Sequence, residues 1–153
     1  MTNTTATLIL IGGKSKRINY KKQNTFIKNV TTQHIIQNTL HKIDVKNIFY
    51  SSKKKIQHPF FIQDILNNKS PLIGIYSAIY YFLKKTNFQN TLITAIDMPL
   101  LTKKILLILI NTNNTYNGSY FEHTQFPLKI KITKKNLLII KNLIKKINYY
   151  FLT

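Results

Sequence analysis

The stretch TATLILIGGKSKR, residues 5–17, joins an uninterrupted apolar segment to a glycine pair and a cluster of cations. An apolar segment of this length that ends at glycines is typical of a strand buried in the middle of a sheet. The stretch holds two of the four glycines, Gly12 and Gly13, and the single arginine, Arg17. Because glycine lets a backbone approach an anion closely, its successive N–H groups and the nearby cations predict a phosphate-binding loop, although a simple turn would also use two glycines.

The segments that follow alternate between short apolar strands and amphipathic helices. Strands are predicted at 46–51, 60–62, 91–96 and around 126–132, and helices at 31–43, from Pro71 through Leu83, at 102–111 and at 137–147. Thr31 or Thr32 is the expected N-cap of the first helix. This alternation predicts an α/β fold with a mostly parallel sheet, and the absence of a linker or repeat predicts one domain over residues 1–153.

The charge of the chain is strongly positive, with 23 Lys and Arg against 4 Asp and Glu. Such a balance is typical of nucleic-acid or anionic-membrane partners, but the lysines are scattered and Asn, Ile and Thr are equally abundant. We therefore attribute the charge to biased residue usage and keep a dedicated nucleic-acid surface as the alternative. The lack of cysteine excludes disulfides and thiolate metal sites. No membrane-length apolar run or signal peptide is present, so we expect a cytoplasmic protein without membrane contact.

A second candidate site follows the strand predicted at 91–96, where Asp97 precedes Met98 and Pro99. Ligands of open α/β sheets bind at the carboxyl ends of the strands, so this carboxylate is expected to share a cleft with Gly12 and Gly13. A lone carboxylate there is suited to Mg²⁺, whereas the alternative is an N-cap of the next helix. The histidines show no metal-ligand spacing and are expected on the surface or in packing: His34, His41, His58 and His123.

The motif order resembles that of the molybdenum cofactor guanylyltransferases of the MobA type. The similarity lies in GGKSKRI (12–18) with Lys22, in SPLIGIYSAI (70–79), in TAIDMPLLT (94–102) and, more weakly, in NGSYFEHTQFPL (117–128). The resemblance implies a three-layer α/β/α sandwich with a Rossmann-like, mostly parallel sheet, of the nucleotide-diphospho-sugar transferase type.

The resemblance also implies roles for individual residues. Backbone amides of residues 12–16 would surround the triphosphate of GTP, Arg17 would neutralise the β- and γ-phosphates, and Lys22 the α-phosphate. Asp97 would hold Mg²⁺, and Asp64 would bind the nucleoside. Arg17, Lys22 and Asp97 are thus the implied catalytic residues. The full implied nucleotide site is Leu10, Ile11, Gly12, Gly13, Lys14, Ser15, Lys16, Arg17, Lys22, Asp64, Pro71, Leu72, Gly74 and Asp97.

The implied reaction transfers GMP from GTP to the terminal phosphate of molybdopterin, with transient contacts to molybdenum-cofactor biosynthesis proteins or molybdoenzymes. The chain departs from the family pattern at Ile18, Asn19, Lys21 and Ser70. It also ends without the Asn-rich and acidic segments that help the family hold the pterin, so we expect a C-terminally short domain with a less complete pterin side. Two alternatives remain: a nucleotidyltransferase with another acceptor, such as a sugar phosphate or methylerythritol phosphate, and a basic, non-catalytic nucleic-acid-binding protein.

Overall fold

The computed structural model describes residues 4–11, 26–27, 30–43, 47–66, 70–98, 100–112, 115 and 117–150. Within these ranges the elements are, in chain order, β1 (Thr5–Leu10), β2 (Phe26–Ile27), β3 (Val30–Thr31), α1 (Thr32–His41), β4 (Ile48–Ser52), β5 (Phe61–Gln63), α2 (Pro71–Lys85), β6 (Asn90–Ala95), α3 (Lys103–Asn111), β7 (Gly118–Tyr120), β8 (Leu128–Lys131) and α4 (Lys134–Tyr150). None of the helices in these ranges has the length and apolar character needed to cross a membrane.

Six of the strands form one sheet in the order β5-β4-β1-β6-β8-β7, and β2 and β3 form a separate antiparallel pair. The first four strands of the sheet are parallel, whereas β8 runs antiparallel to β6 and β7 runs antiparallel to β8. The predicted mostly parallel sheet is therefore confirmed. The predicted buried strand is its central strand, since β1 pairs with both β4 and β6.

Helices cover both faces of the sheet, as the continuous burial of β1 requires, since successive side chains of a strand point to opposite faces. Leu8 and Leu10 pack in the cluster that includes α2 and α4, while Ile9 packs in the cluster that includes α1 and α3. A strand apolar on both sides needs a helix layer on each side. The three-layer α/β/α architecture predicted from the sequence is confirmed.

The helices begin at capping residues that the sequence shows. Thr31 is the N-cap of α1 and accepts a hydrogen bond from the His34 N–H, which decides between the two threonines. Ser70 caps α2, with Pro71 at its first turn. By the strand directions, α1, α2 and α3 all begin at the edge where the parallel strands end, called the carboxyl edge below.

The element bounds differ from the predicted ones by up to three residues, and three strands were not predicted. α4 begins at Lys134 rather than at 137, because the Thr133 hydroxyl accepts a hydrogen bond from the Asn136 N–H and so caps the helix earlier. The unpredicted strands are short: β2, β3 and the three-residue β7 at one border of the sheet. None of them carries the long apolar pattern that sequence reading requires.

Candidate active site

The parallel strands bring their ends together at the carboxyl edge. Leu10 of β1 lies opposite Ser51 of β4 and Ala95 of β6. Hydrogen bonding continues beyond the strands, because the Ile11 N–H donates to the Ser51 carbonyl at 2.9 Å and the Ile96 N–H donates to the Leu10 carbonyl at 3.1 Å. The segments that follow these strands therefore start side by side.

Asp64, which directly follows β5, is held at this edge by Ser51. The Ser51 hydroxyl donates a hydrogen bond to Asp64 Oδ1 at 2.5 Å, and Ser51 itself is buried. Burial raises the pKa of the Asp64 carboxyl above its ordinary value, while the Ser51 hydrogen bond acts in the opposite direction. The result is a half-buried carboxyl group in a fixed orientation.

Gly74 allows α2 to lie directly on this pair. A Cβ at Gly74 would be 2.8 Å from Leu10 Cδ2 and 3.0 Å from Ser51 Oγ, so it would crowd the side chains of Leu10 and Ser51 near the ends of β1 and β4. Ser77 secures the loop, since its hydroxyl accepts from the Ile65 N–H at 2.9 Å and donates to the Ile73 carbonyl at 2.8 Å. Leu10, Asp64 and Gly74, all predicted site residues, are thereby brought together.

The two other predicted residues of α2 have different surroundings. Pro71 is exposed and opens the helix, and Leu72 is half-buried against the core cluster that contains α2 and α4. Both lie in the first turn of α2, above the strand ends. Ile11 is half-buried at the end of the described part of the β1 segment.

Asp97 lies two residues beyond β6, at the same edge, and is exposed. The preceding Ile96 is buried and tied to the Leu10 carbonyl, which places Asp97 beside the exit of β1. The alternative prediction that Asp97 is an N-cap is wrong. Thr102 caps α3 instead, with its hydroxyl accepting from the Ile105 N–H at 3.4 Å.

Seven predicted residues lie outside the described residues, namely Gly12, Gly13, Lys14, Ser15, Lys16, Arg17 and Lys22. Their proposed contacts with phosphate, and the shared cleft with Asp97, stay predictions. Among the residues described, no group of three or more His, Cys, Asp or Glu side chains is placed to hold a metal ion. A single exposed carboxylate nevertheless fits Mg²⁺, which commonly binds one or two carboxylates and completes its shell with water and substrate phosphates.

Sequence reading missed Ser51, the partner of Asp64. The signal was present: two polar residues, Ser51 and Ser52, end the otherwise apolar strand β4. In a parallel sheet, polar residues at the carboxyl end of a buried strand lie at the ligand edge. The basic run Lys53–Lys55, exposed and directly after that strand, is at the same edge and was also not assigned.

The chain is similar to known proteins in both sequence and structure. Residues 7–128 match the family described as MobA-like NTP transferase domain. A "probable molybdenum cofactor guanylyltransferase" of Flavobacterium johnsoniae is 33% identical over 147 residues, which cover 93% of this chain and 75% of the relative. A protein of the same description from Clostridium perfringens strain SM101 is 31% identical over 113 residues, and the match spans about half of it, 54%.

Solved structures share the fold at low identity. The molybdopterin-guanine dinucleotide biosynthesis protein A of Archaeoglobus fulgidus superposes with a TM-score of 0.69 at 16% identity, over 92% of this chain and 73% of the other. The 4-diphosphocytidyl-2C-methyl-D-erythritol synthase of Anaerococcus prevotii gives 0.66 at 10% identity, over 92% and 75%. These likenesses confirm the predicted nucleotide-diphospho-sugar transferase type of fold. With the family match over most of its length, the chain is a nucleotidyltransferase and belongs to the MobA-like NTP transferase family.

Proposed function

We propose that this protein transfers GMP from GTP to the terminal phosphate of molybdopterin and releases pyrophosphate. The observation that carries the proposal is the position of its carboxylates. The chain has only four acidic residues against 23 basic ones, yet two of the four, Asp64 and Asp97, lie at the carboxyl edge on either side of β1. The three strand spacings between β5 and β6 amount to about 14 Å, which one nucleoside triphosphate can bridge.

The nucleoside end of the substrate is assigned to Asp64. Its carboxylate accepts hydrogen bonds only, and Ser51 holds it in orientation. Guanine presents two adjacent donors, N1–H and N2–H, that one carboxylate can accept together, whereas adenine offers no such pair. A half-buried carboxylate therefore favours GTP, because adenine has only its N6 amine as a donor there and would leave one of the two base hydrogen bonds unmade.

The phosphate end is assigned to the stretch after β1 and to Asp97. Backbone amides of residues 12–16 and the side chain of Arg17 would bind the β- and γ-phosphates, and Lys22 the α-phosphate. Asp97 would hold Mg²⁺, which neutralises charge on the phosphates when bound. An oxygen of the acceptor phosphate attacks the α-phosphorus of GTP, and the bond to the bridging oxygen breaks, so that pyrophosphate leaves. The acceptor arrives ionised, so the protein's contribution is positioning and charge stabilisation.

The names of the relatives support molybdopterin as the acceptor, and the fold is also that of an enzyme named for 4-diphosphocytidyl-2C-methyl-D-erythritol synthesis. A first experiment therefore titrates GTP, CTP, ATP and UTP with and without Mg²⁺ and follows thermal stabilisation. We expect GTP with Mg²⁺ to stabilise most. Preference for CTP would instead indicate another acceptor, and steeply salt-dependent binding of any polynucleotide, indifferent to Mg²⁺, would indicate a nucleic-acid-binding protein.

Turnover is tested through Asp97. We expect Asp97→Asn to lower Mg²⁺-dependent pyrophosphate release from GTP and molybdopterin by at least about 100-fold, since the metal loses its protein carboxylate. Its unfolding free energy should change by less than about 0.5 kcal/mol, because the residue is exposed, Asn is similar in size, and Thr102 rather than Asp97 caps α3.

The matched control is Thr102→Ala, which removes the cap of α3 five residues away. It should cost about 1 kcal/mol of stability while leaving the metal dependence intact. Equal turnover in Asp97→Asn and wild type would refute the metal assignment.

A further inference from the structure

The antiparallel hairpin at the border of the sheet places a loop at the carboxyl edge. Because β7 runs parallel to β6 and β8 runs back, the connection over residues 121–127 lies at the same edge as Asp97. Along this edge the order of strand ends is β5 with Asp64, β4, β1, β6 with Asp97, and then this loop. The loop is thus on the far side of Asp97 from Asp64.

Two aromatic residues fix the base of the loop on opposite faces of the sheet. Phe121 packs against the cluster that contains α1 and α3, and Phe126 against the cluster that contains α2 and α4. The loop therefore straddles the end of the sheet. Its tip, residues 122–125, is exposed and carries only polar side chains: Glu122, His123, Thr124 and Gln125.

His123 stands out within this tip. Its φ is 60°, in the left-handed region, and it is the one non-glycine residue with a positive φ among the residues described. The turn is closed by Thr124, whose N–H and hydroxyl both donate to the Phe121 carbonyl, at 3.2 Å and 3.0 Å. A glycine or asparagine adopts this conformation more easily than histidine, so the imidazole is presented to solvent at some conformational cost.

We propose that His123 binds the phosphate of the acceptor substrate and that the hairpin tip is the acceptor-recognition segment. The inference rests on the proposed function: if the nucleoside lies at Asp64, the pyrophosphate lies over the stretch after β1 and the α-phosphorus lies beside Asp97, the acceptor phosphate approaches from the far side of Asp97. The hairpin tip is the described segment at that end of the edge. Imidazole N–H groups donate to phosphate oxygens. His123 and its neighbour Glu122, whose Oε1 lies 3.6 Å from His123 Nε2, are both almost fully exposed.

The test measures acceptor binding separately from chemistry. Wild type and His123→Asn are saturated with an α,β-methylene analogue of GTP and Mg²⁺, then titrated by calorimetry with molybdopterin, 2C-methyl-D-erythritol 4-phosphate and a sugar phosphate. Asparagine tolerates the left-handed backbone, so this variant removes the imidazole and keeps the turn. We expect about tenfold weaker binding of the acceptor, as for loss of one hydrogen bond to a charged group, and less than about twofold change for the GTP analogue.

His41→Asn is the matched control, because His41 is an exposed histidine in the last turn of α1, at the opposite edge of the sheet. It should bind both ligands as wild type does. Acceptor binding by His123→Asn within about twofold of wild type overturns the inference. A wild type that binds the GTP analogue but none of the three phosphates overturns the proposed transfer and this inference with it. Should His123→Asn not fold, His123→Gly replaces it, since glycine adopts this φ without strain.

Discussion

At the residue scale, adding one methyl group at Gly74 tests how closely α2 packs against Leu10 and Ser51. We expect Gly74→Ala to lower the unfolding free energy by about 1 to 3 kcal/mol, because the new Cβ would be 2.8 Å from Leu10 Cδ2 and 3.0 Å from Ser51 Oγ. At an open helix position the same change would stabilise the protein by about 1 kcal/mol. The sign of the change in unfolding free energy therefore distinguishes a close contact from an open position. Urea unfolding measures it.

A second variant checks the cause. Leu10→Ala removes the atom that the new Cβ would strike, so the double variant Gly74→Ala with Leu10→Ala should lose less stability than the sum of the two single variants. Strict additivity would contradict the proposed collision. Displacement of Ser51 should also weaken GTP binding in Gly74→Ala, because Ser51 orients Asp64.

Asp64 predicts a pH dependence of stability. Burial raises the pKa of its carboxyl above the ordinary value of 3.8, against the opposing Ser51 hydrogen bond, so the folded protein holds this proton more tightly than the unfolded chain. The contribution of Asp64 to the unfolding free energy therefore falls as the pH rises from the pKa of this carboxyl in the unfolded chain to its raised pKa in the folded protein. We expect Asp64→Asn to be more stable than wild type at pH 7 and nearly equal below that window, in urea unfolding at several pH values.

The same variant should bind GTP more weakly, because Asn lacks the second acceptor oxygen for guanine. Ser51→Ala is the companion variant: loss of the hydroxyl donor should raise the Asp64 pKa further and widen the pH window. If Asp64→Asn shows the same stability difference from wild type at every pH, this carboxyl is not the titrating group.

Among single residues, the sequence predicted those of rare type in a chain rich in Lys, Asn, Ile and Thr. Asp64, Gly74 and Asp97 are rare residue types here, and the structure places each at the carboxyl edge. Ser51 was missed because the two serines that end β4 mark the edge of the sheet but do not show that one of them contacts Asp64. Its importance depends on β5 lying beside β4, a pairing that no local pattern encodes.

At the scale of the elements, a side chain of β8 donates hydrogen bonds to the carbonyls at the C-terminal end of α3. Lys129 of β8 is buried, and its Nζ donates to the carbonyls of Ile110 and Thr112 at 2.9 Å and 3.1 Å. Desolvation by burial lowers the pKa of this amine. We expect Lys129→Met to cost about 1 to 3 kcal/mol of stability, since two carbonyls at the helix end lose their donor.

Lys131→Met is the matched control, two residues along the same strand and less buried. It should change the unfolding free energy by less than about 0.5 kcal/mol. Hydrogen exchange should also accelerate in the last turn of α3 in Lys129→Met alone. Equal losses in both variants would show that general packing of β8, rather than the helix end, is responsible.

The elements that the sequence predicted are those with a complete local pattern. β1 and β6 are buried apolar segments, and Ser70 with Pro71 marks the start of α2. β7 has only three residues, with a glycine and two half-buried or exposed side chains, and depends on pairing with β8. Such a strand is stabilised by its neighbour, so its own sequence does not reveal it.

For the whole molecule, the net charge of +19 should speed the approach of anionic substrates. The exposed pair Lys54 and Lys55 follows β4 at the carboxyl edge. We expect Lys54→Gln with Lys55→Gln to slow GTP association about two- to fivefold at low ionic strength, and the effect to disappear in high salt. Stopped-flow binding measures both.

The control pair is Lys84→Gln with Lys85→Gln, which removes the same charge at the end of α2, at the opposite edge of the sheet. If net charge alone attracts GTP, the two double variants should slow association equally. A larger effect at Lys54 and Lys55 would locate the attraction at the proposed nucleotide edge.

The central position of β1 also governs how the chain folds. β1 is synthesised before both of its partners, β4 and finally β6, whose residue Asn90 lies opposite Thr5. Contacts between residues so distant in sequence form slowly, and until they form an apolar strand has two unsatisfied edges. Synthesis must therefore pass the middle of the chain before β1 is protected, and the nascent protein is most prone to aggregation in that interval. The arrangement that gives the nucleotide edge its two flanking carboxylates thus also delays folding until β6 has been made.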